Sequence, residues 1–251
     1  MHFTVLASGS KGNCTVIDSK DTRIILDCGS TKNYLSKCFD KMDFDYHSAD
    51  GLLITHSHKD HISQIKMFKD LPIYSPITFS DIKSKLIRPL EIFKIKDLTI
   101  LPIPLSHDCD VTVGYIIFDG SETLVYITDT GYVSERNMEL IKHADYYVIE
   151  SNHDPQLLMQ TNRPTMIKKR ILSDNGHLSN EDSALLMSRC INGNTKEIIL
   201  AHISQEANDY KLAFDTMLNT LKEKGVYRSD IFIKAMEQFE MFDSNEGKKA
   251  E

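Results

Sequence analysis

Three histidines and an aspartate crowd into His56-Ser57-His58-Lys59-Asp60-His61, directly after the apolar run Gly51-Leu52-Leu53-Ile54. Imidazole nitrogens and a carboxylate are ligands that zinc, manganese and iron accept. His56 and His58 alternate with Ser57, so on an extended segment both point to one side. Asp60 and His61 come after the chain turns, where a helix is expected to begin. One pair can then face one metal and the other pair a second, because a single ion would not need this doubling.

Two sites need more ligands, and ligand-type residues stand just past three later apolar runs. His107 follows 98–103, Asp129 ends 123–128 and His202 follows 197–201. Two metals that share a water lower its pKa toward neutrality. The implied chemistry is hydrolysis by a metal-bridging hydroxide, with Asp60 serving catalysis as well as ligation. His177 lies between Gly176 and the expected helix cap Ser179, where it could protonate a leaving group or bind a phosphate oxygen. His153, beside Asn152 and Asp154, is a second candidate of that kind, and Glu150 could brace a ligand histidine from behind. In Ser8-Gly9-Ser10-Lys11-Gly12-Asn13, the residues Ser10, Lys11 and Asn13 are phosphate candidates; a plain tight turn is the equal alternative. The loop lacks the spacing of a nucleotide-triphosphate site.

The elements that must position these residues read mostly as strands in the first half. Strands are expected at 3–6, 14–17, 23–26, 51–55, 72–74, 91–95, 98–103, 113–118, 123–128, 146–149, 197–201 and 231–234. Helices are expected at 134–143 with Ser134 as cap, and at 164–172 with Pro164 near the first turn. Another opens at Ser179, with Asp182 three positions on, and stops at Asn192-Gly193. The last, 209–224, places Tyr210, Phe214, Met217, Leu218 and Leu221 on one core-facing stripe. Strand runs broken by helices in both halves imply two packed sheets with helices outside. No internal repeat is visible. Residues 1–242 read as one domain and 243–251 as a polar, frayed tail.

At 251 residues and 41% hydrophobic content, the chain can bury a large core. It has no apolar run of membrane-crossing length and no leader-like N-terminus, so a soluble, cytoplasmic protein is expected. Five scattered cysteines with no CxxC pair read as reduced core thiols. A net charge of −7 argues against coating nucleic acid through bulk charge, but not against a local basic groove. The densest basic cluster, Lys168-Lys169-Arg170, reads as a solvated face.

HxHxDH followed by His107, Asp129 and His202 at successive strand ends resembles the metallo-β-lactamase superfamily, over residues 3–242. The resemblance implies an α/β (α+β) fold, a four-layer αββα sandwich with two divalent ions at one edge of the sheets. By position, His56, His58 and His107 would hold the first metal and Asp60, His61 and His202 the second. Asp129 would bridge them, and Asp27 in "ILDCG" would support the ligand loop from behind. β-Lactam-hydrolysing relatives commonly carry cysteine where Asp129 stands, which argues against antibiotic hydrolysis. "LASGSKGNCTVI", "IESNHD", "GHLSNEDSA" and "LAHISQEAND" resemble the YycJ/WalJ group. That resemblance implies a 5′-to-3′ exonuclease on duplex DNA, with a link to mismatch repair. The alternative is a hydrolase of small esters, lactones or thioesters on the same metals, which the acidic net charge favours.

Overall fold

Side chains alternate along the strands, and the alternation sorts them into layers. The computed structural model describes residues 1–244. Its first half runs β1 (His2–Ala7), β2 (Cys14–Asp18), β3 (Arg23–Leu26), α1 (Lys32–Lys41), β4 (Gly51–Leu53), α2 (Lys59–Ile62), β5 (Ile73–Ser75) and β6 (Lys85–Leu86). There follow β7 (Phe93–Ile95), β8 (Leu98–Leu105), β9 (Thr112–Phe118), β10 (Thr123–Ile127), α3 (Glu135–Ile141) and β11 (Tyr146–Glu150). The rest is α4 (Pro155–Gln160), α5 (Thr165–Ile171), α6 (Asn180–Cys190), β12 (Glu197–Ala201), α7 (Tyr210–Glu223), β13 (Phe232–Ala235) and β14 (Phe242–Asp243). The strands form two seven-stranded sheets, ordered β14-β1-β2-β3-β4-β5-β6 and β13-β12-β11-β10-β9-β8-β7.

Phe3, Val5, Ile24, Leu26 and Leu53 of the first sheet meet Tyr115, Leu124, Tyr126, Val148 and Ile199 of the second in one buried layer. Their neighbours along each strand face outward. Leu6, Ile25 and Leu52 pack on Leu35, Cys38 and Phe39 of α1. Val125, Ile149 and Leu200 pack on Met138 of α3, Met187 of α6 and Met217 of α7. The four layers are therefore helix, sheet, sheet, helix, the expected αββα sandwich.

In each sheet the pairing is antiparallel up to β3 or β10 and parallel beyond it. Strand ends that point one way are the natural place for a site in such sheets. The loops after β3, β4, β8, β10 and β12 carry Asp27, the 56–61 cluster, His107, Asp129 and His202, and Glu150 is the last residue of β11.

Local chemistry sets most boundaries as expected. Ser134 and Ser179 accept hydrogen bonds from Asn137 N and Asp182 N, capping α3 and α6. Sequence reading missed two short helices, α1 and α4, and the two-residue strands β6 and β14. Helix α1 buries only Leu35, Cys38 and Phe39, too few positions for its period to stand out. On α7 the buried stripe is Ala213, Met217 and Leu221, flanked by half-buried Phe214 and Leu218. The expected frayed tail starts two residues too early: Asp243 pairs with Thr4, and Ser244 N donates to Phe3 O. Its remainder, 245–251, lies outside the described residues. Cys14, Cys28, Cys38 and Cys190 are buried free thiols, while Cys109 is half-buried, with Sγ 2.9 Å from Ser57 Oγ. Among the described residues no helix is long and apolar enough to cross a membrane.

Candidate metal centre

The histidine cluster lies on the turn between β4 and α2, and that turn is fixed from below by Asp27. Asp27 Oδ1 accepts from Thr55 N at 2.9 Å, and Oδ2 accepts from Thr55 Oγ1 at 2.9 Å and pairs with His61 Nδ1 at 2.7 Å. Thr55 Oγ1 also lies 3.0 Å from His56 Nδ1. Both histidines thus have Nδ1 engaged behind, which turns Nε2 forward. The approach is close: a Cβ on Gly29 would sit 1.7 Å from Asp60 O. Only glycine lets the strand-end loop pass under α2.

Ligand atoms of His56, His58 and His107 lie within 4.8 Å of one another, and so do those of Asp60, His61, Asp129 and His202. Asp129 stands between the two groups. Its Oδ2 is 3.0 Å from His61 Nε2, and its Oδ1 is 3.5 Å from His202 Nε2 and 3.8 Å from His107 Nε2. Asp27, Asp129 and His202 all take left-handed backbone, at φ 59°, 59° and 53°, each just past a strand end. Such non-glycine conformations cost about 1–3 kcal/mol apiece and collect at functional sites.

These residues fit divalent cations. His56 Nε2 and His202 Nε2 are buried with no hydrogen-bond partner among the described residues. Buried polar atoms are nearly always satisfied, so convergent orphans ask for an ion. Burial, with His61 beside it, holds the His56 pKa well below the usual histidine value, and burial likewise lowers that of His107. Both favour the neutral, ligating form. Burial works against charge on His202, but Asp129, Asp60 and Glu150 push its pKa up to about 10. Burial would raise Asp129, yet His202 and His61 hold it far below the usual carboxylate range. Carboxylates and imidazole nitrogens thus converge in one place, a donor set that suits divalent ions.

Glu150, fully buried at the end of β11, organises the opposite wall. Its Oε1 lies 2.8 Å from both His202 Nδ1 and His177 Nδ1, while Oε2 accepts from Thr130 N and Leu178 N. Burial opposes its charge, but His177 and His202 hold its pKa at about 2. His177 itself lines a cavity of about 190 Å³ together with His58, Asp60, His107, Asp129 and His202. Gly176 makes this possible, because a Cβ there would meet Ile171 O at 2.2 Å.

Other expected residues fall elsewhere. His153 does not line the cavity. It is 1% exposed, neither ring nitrogen has a hydrogen-bond partner among the described residues, and burial lowers its pKa to about 4. Its backbone is bridged to Ser179, and the buried ring stands apart from the cavity. Asn13 is also fully buried. Its Nδ2 lies 3.1 Å from Gly9 O, 3.3 Å from Asp60 O and 2.9 Å from His61 Nε2, which ties the loop after β1 to α2. Ser10 lines the cavity, whereas Lys11 is exposed outside it, with its N–H on Gln238 Oε1. At the N-terminus of α6, Ser179 Oγ accepts from Asp182 N and donates to Asp182 Oδ2. Sequence reading missed Thr55, Asp108, Asn152, Ser204, Arg163 and Arg170, all brace or cavity residues. Arg170 leaves the supposed solvated face for the cavity rim. Thr55, Asp108 and Asn152 had a positional signal, since each adjoins a predicted site histidine.

The geometry agrees with what comparison finds. Residues 22–203 match the model of a β-lactamase superfamily domain. The chain is 36% identical over 239 residues to the exodeoxyribonuclease YycJ of Bacillus anthracis, covering 90% of each. It is 34% identical over 237 residues to the exodeoxyribonuclease WalJ of Streptococcus pneumoniae, covering 88% of each. In fold it is similar to the crystal structure of the metallo-β-lactamase fold protein YhfI from Bacillus subtilis. The TM-score is 0.71 at 18% identity, over 97% of this chain and 100% of the other. The chain belongs to the β-lactamase superfamily, among its YycJ/WalJ-like metal-dependent hydrolases.

Proposed function

We propose that the chain is a two-metal phosphodiesterase that shortens duplex DNA from its ends, 5′ to 3′. The observation that supports this reading is the convergence of seven candidate ligand side chains, from four separate segments, into two groups, with Asp129 in one and 3.8 Å from His107 of the other. His56, His58 and His107 would hold one divalent ion and Asp60, His61 and His202 the other, with zinc, manganese or iron suited to such donors. Bound there, the pair would neutralise negative charge and lower the pKa of water toward neutrality.

The chain's own residues do the rest. Asp27 and Thr55 hold the imidazoles of His56 and His61 in one orientation. Glu150 engages His177 at Nδ1, which leaves Nε2 as the nitrogen for the cavity. From there His177 donates a proton to the leaving oxygen as the phosphodiester breaks. Ile171 is the one apolar residue in the cavity wall among the described residues. Such a wall suits a phosphate better than the acyl chain of an ester, lactone or thioester. The curated relatives are named exodeoxyribonucleases, which supports DNA as substrate and, by extension, a cytoplasmic task in DNA repair.

The test is a panel. Purified protein of measured metal content receives end-labelled duplex DNA, bis-p-nitrophenyl phosphate, a lactone and a glutathione thioester. Mononucleotides released progressively from the 5′ end are expected. Hydrolysis of only the lactone or thioester would remove the nuclease reading.

A further inference from the structure

Two arginines reach the rim of the metal cavity on one short segment, and the hydrolytic chemistry above gives neither a task. Arg163 precedes α5 and Arg170 sits in its last turn; both line the cavity. Each is held by a carboxylate from a different loop. Arg163 Nε donates to Glu206 Oε2 at 2.8 Å, beyond β12, and Arg170 Nη1 donates to Asp108 Oδ2, beyond β8. Lys11, from the loop after β1, adds its field at Glu206. Ser10 and Ser204 complete the same wall with hydroxyl donors.

This arrangement is built to hold anions. A guanidinium offers a planar fork that fits carboxylate and phosphate alike. Both ion pairs are partly open to water, with the arginine side chains 30% and 46% exposed, so their carboxylates can be exchanged at little cost. The chain as a whole carries −7 and repels a polyanion, so attraction must come from cations placed locally. Among the described residues that line this cavity, Arg163 and Arg170 are the guanidinium cations.

We propose that Arg163 and Arg170 determine the substrate class. They exchange Glu206 and Asp108 for the backbone phosphates flanking the scissile one, and so select a nucleic-acid strand over an uncharged ester. This rests on the phosphodiesterase reading and names the residues that make it specific.

The experiment uses metal-loaded protein and a duplex whose terminal linkages are phosphorothioates that resist cleavage, titrated across a salt series. In parallel, KM is measured on cleavable duplex. Arg163→Ala and Arg170→Ala are each expected to raise KM about tenfold and to reduce the slope of log affinity against log salt by about one, with metal content unchanged. Arg163→Lys and Arg170→Lys should restore the slope without the full affinity, because the charge returns and the fork does not. Glu206→Gln frees Arg163 and should tighten binding, a sign that a merely structural ion pair would not give. Wild-type KM and slope in both alanine variants, while wild-type protein degrades DNA, would overturn the arginine assignment and leave the phosphodiesterase reading intact. Wild-type protein that neither binds nor degrades duplex, yet opens the lactone or thioester, would overturn both.

Discussion

At the residue scale, the candidate ligand set was legible because metal-ligating residue types are rare in such density and position. Three histidines and an aspartate in one turn are hard to explain otherwise, and His107, Asp129 and His202 each close a strand. His153 and Asn13 misled because local composition does not reveal which way a short loop turns its side chains. Both point into packed protein. His177 carries the test of proton donation. Its replacement, His177→Ala, should keep the metal content and cut turnover on DNA about 100-fold, the usual scale for general acid catalysis. Turnover unchanged at full metal content would dismiss it. For His153 the consequence is stability. Burial depresses its folded pKa to about 4, against 6.5 for an ordinary histidine, so the unfolded chain takes up the proton first as pH falls. Stability is complete above pH 6.5 and drains away toward pH 4. By pH 5 the loss from this group is roughly 2 kcal/mol. In urea titrations at pH 7 and pH 5, His153→Met should lose less stability than wild type by that amount; parallel losses would rule out the buried neutral imidazole.

At the element scale, the strands other than β6 and β14 were legible, whereas the helices α1 and α4 were not. A strand of alternating apolar residues is visible at five positions, whereas α1 and α4 bury three residues and one. The elements that matter most for the centre are the tightest. Loop 27–30 runs directly beneath α2, and Gly29 is the point of contact. A methyl group there must push back the backbone of Asp60, carrying one ligand with it and disturbing His61 beside it. Gly29→Ala should therefore cost about 3 kcal/mol in urea denaturation and lower the bound metal together with it. A variant with wild-type midpoint and metal content would show that the loop yields where it is drawn as rigid.

At the scale of the whole molecule, the two sheets follow one plan that the sequence does not display as a repeat. Each turns from antiparallel to parallel pairing at the strand that ends in a left-handed aspartate, Asp27 after β3 and Asp129 after β10. The first braces the ligand loop and the second stands between the ligand groups. Packing the sheets face to face brings both to one edge, which is why residues as distant as His56 and His202 can share a centre. Topology of this kind leaves no local trace in composition; only the positions of the ligand residues point to it. The most direct measurement is anomalous diffraction from crystals grown with manganese. Two peaks are expected, one among His56, His58 and His107 and one among Asp60, His61 and His202, with the Asp129 carboxylate between them. A single peak, or ions seated away from these side chains, would contradict the two-metal centre.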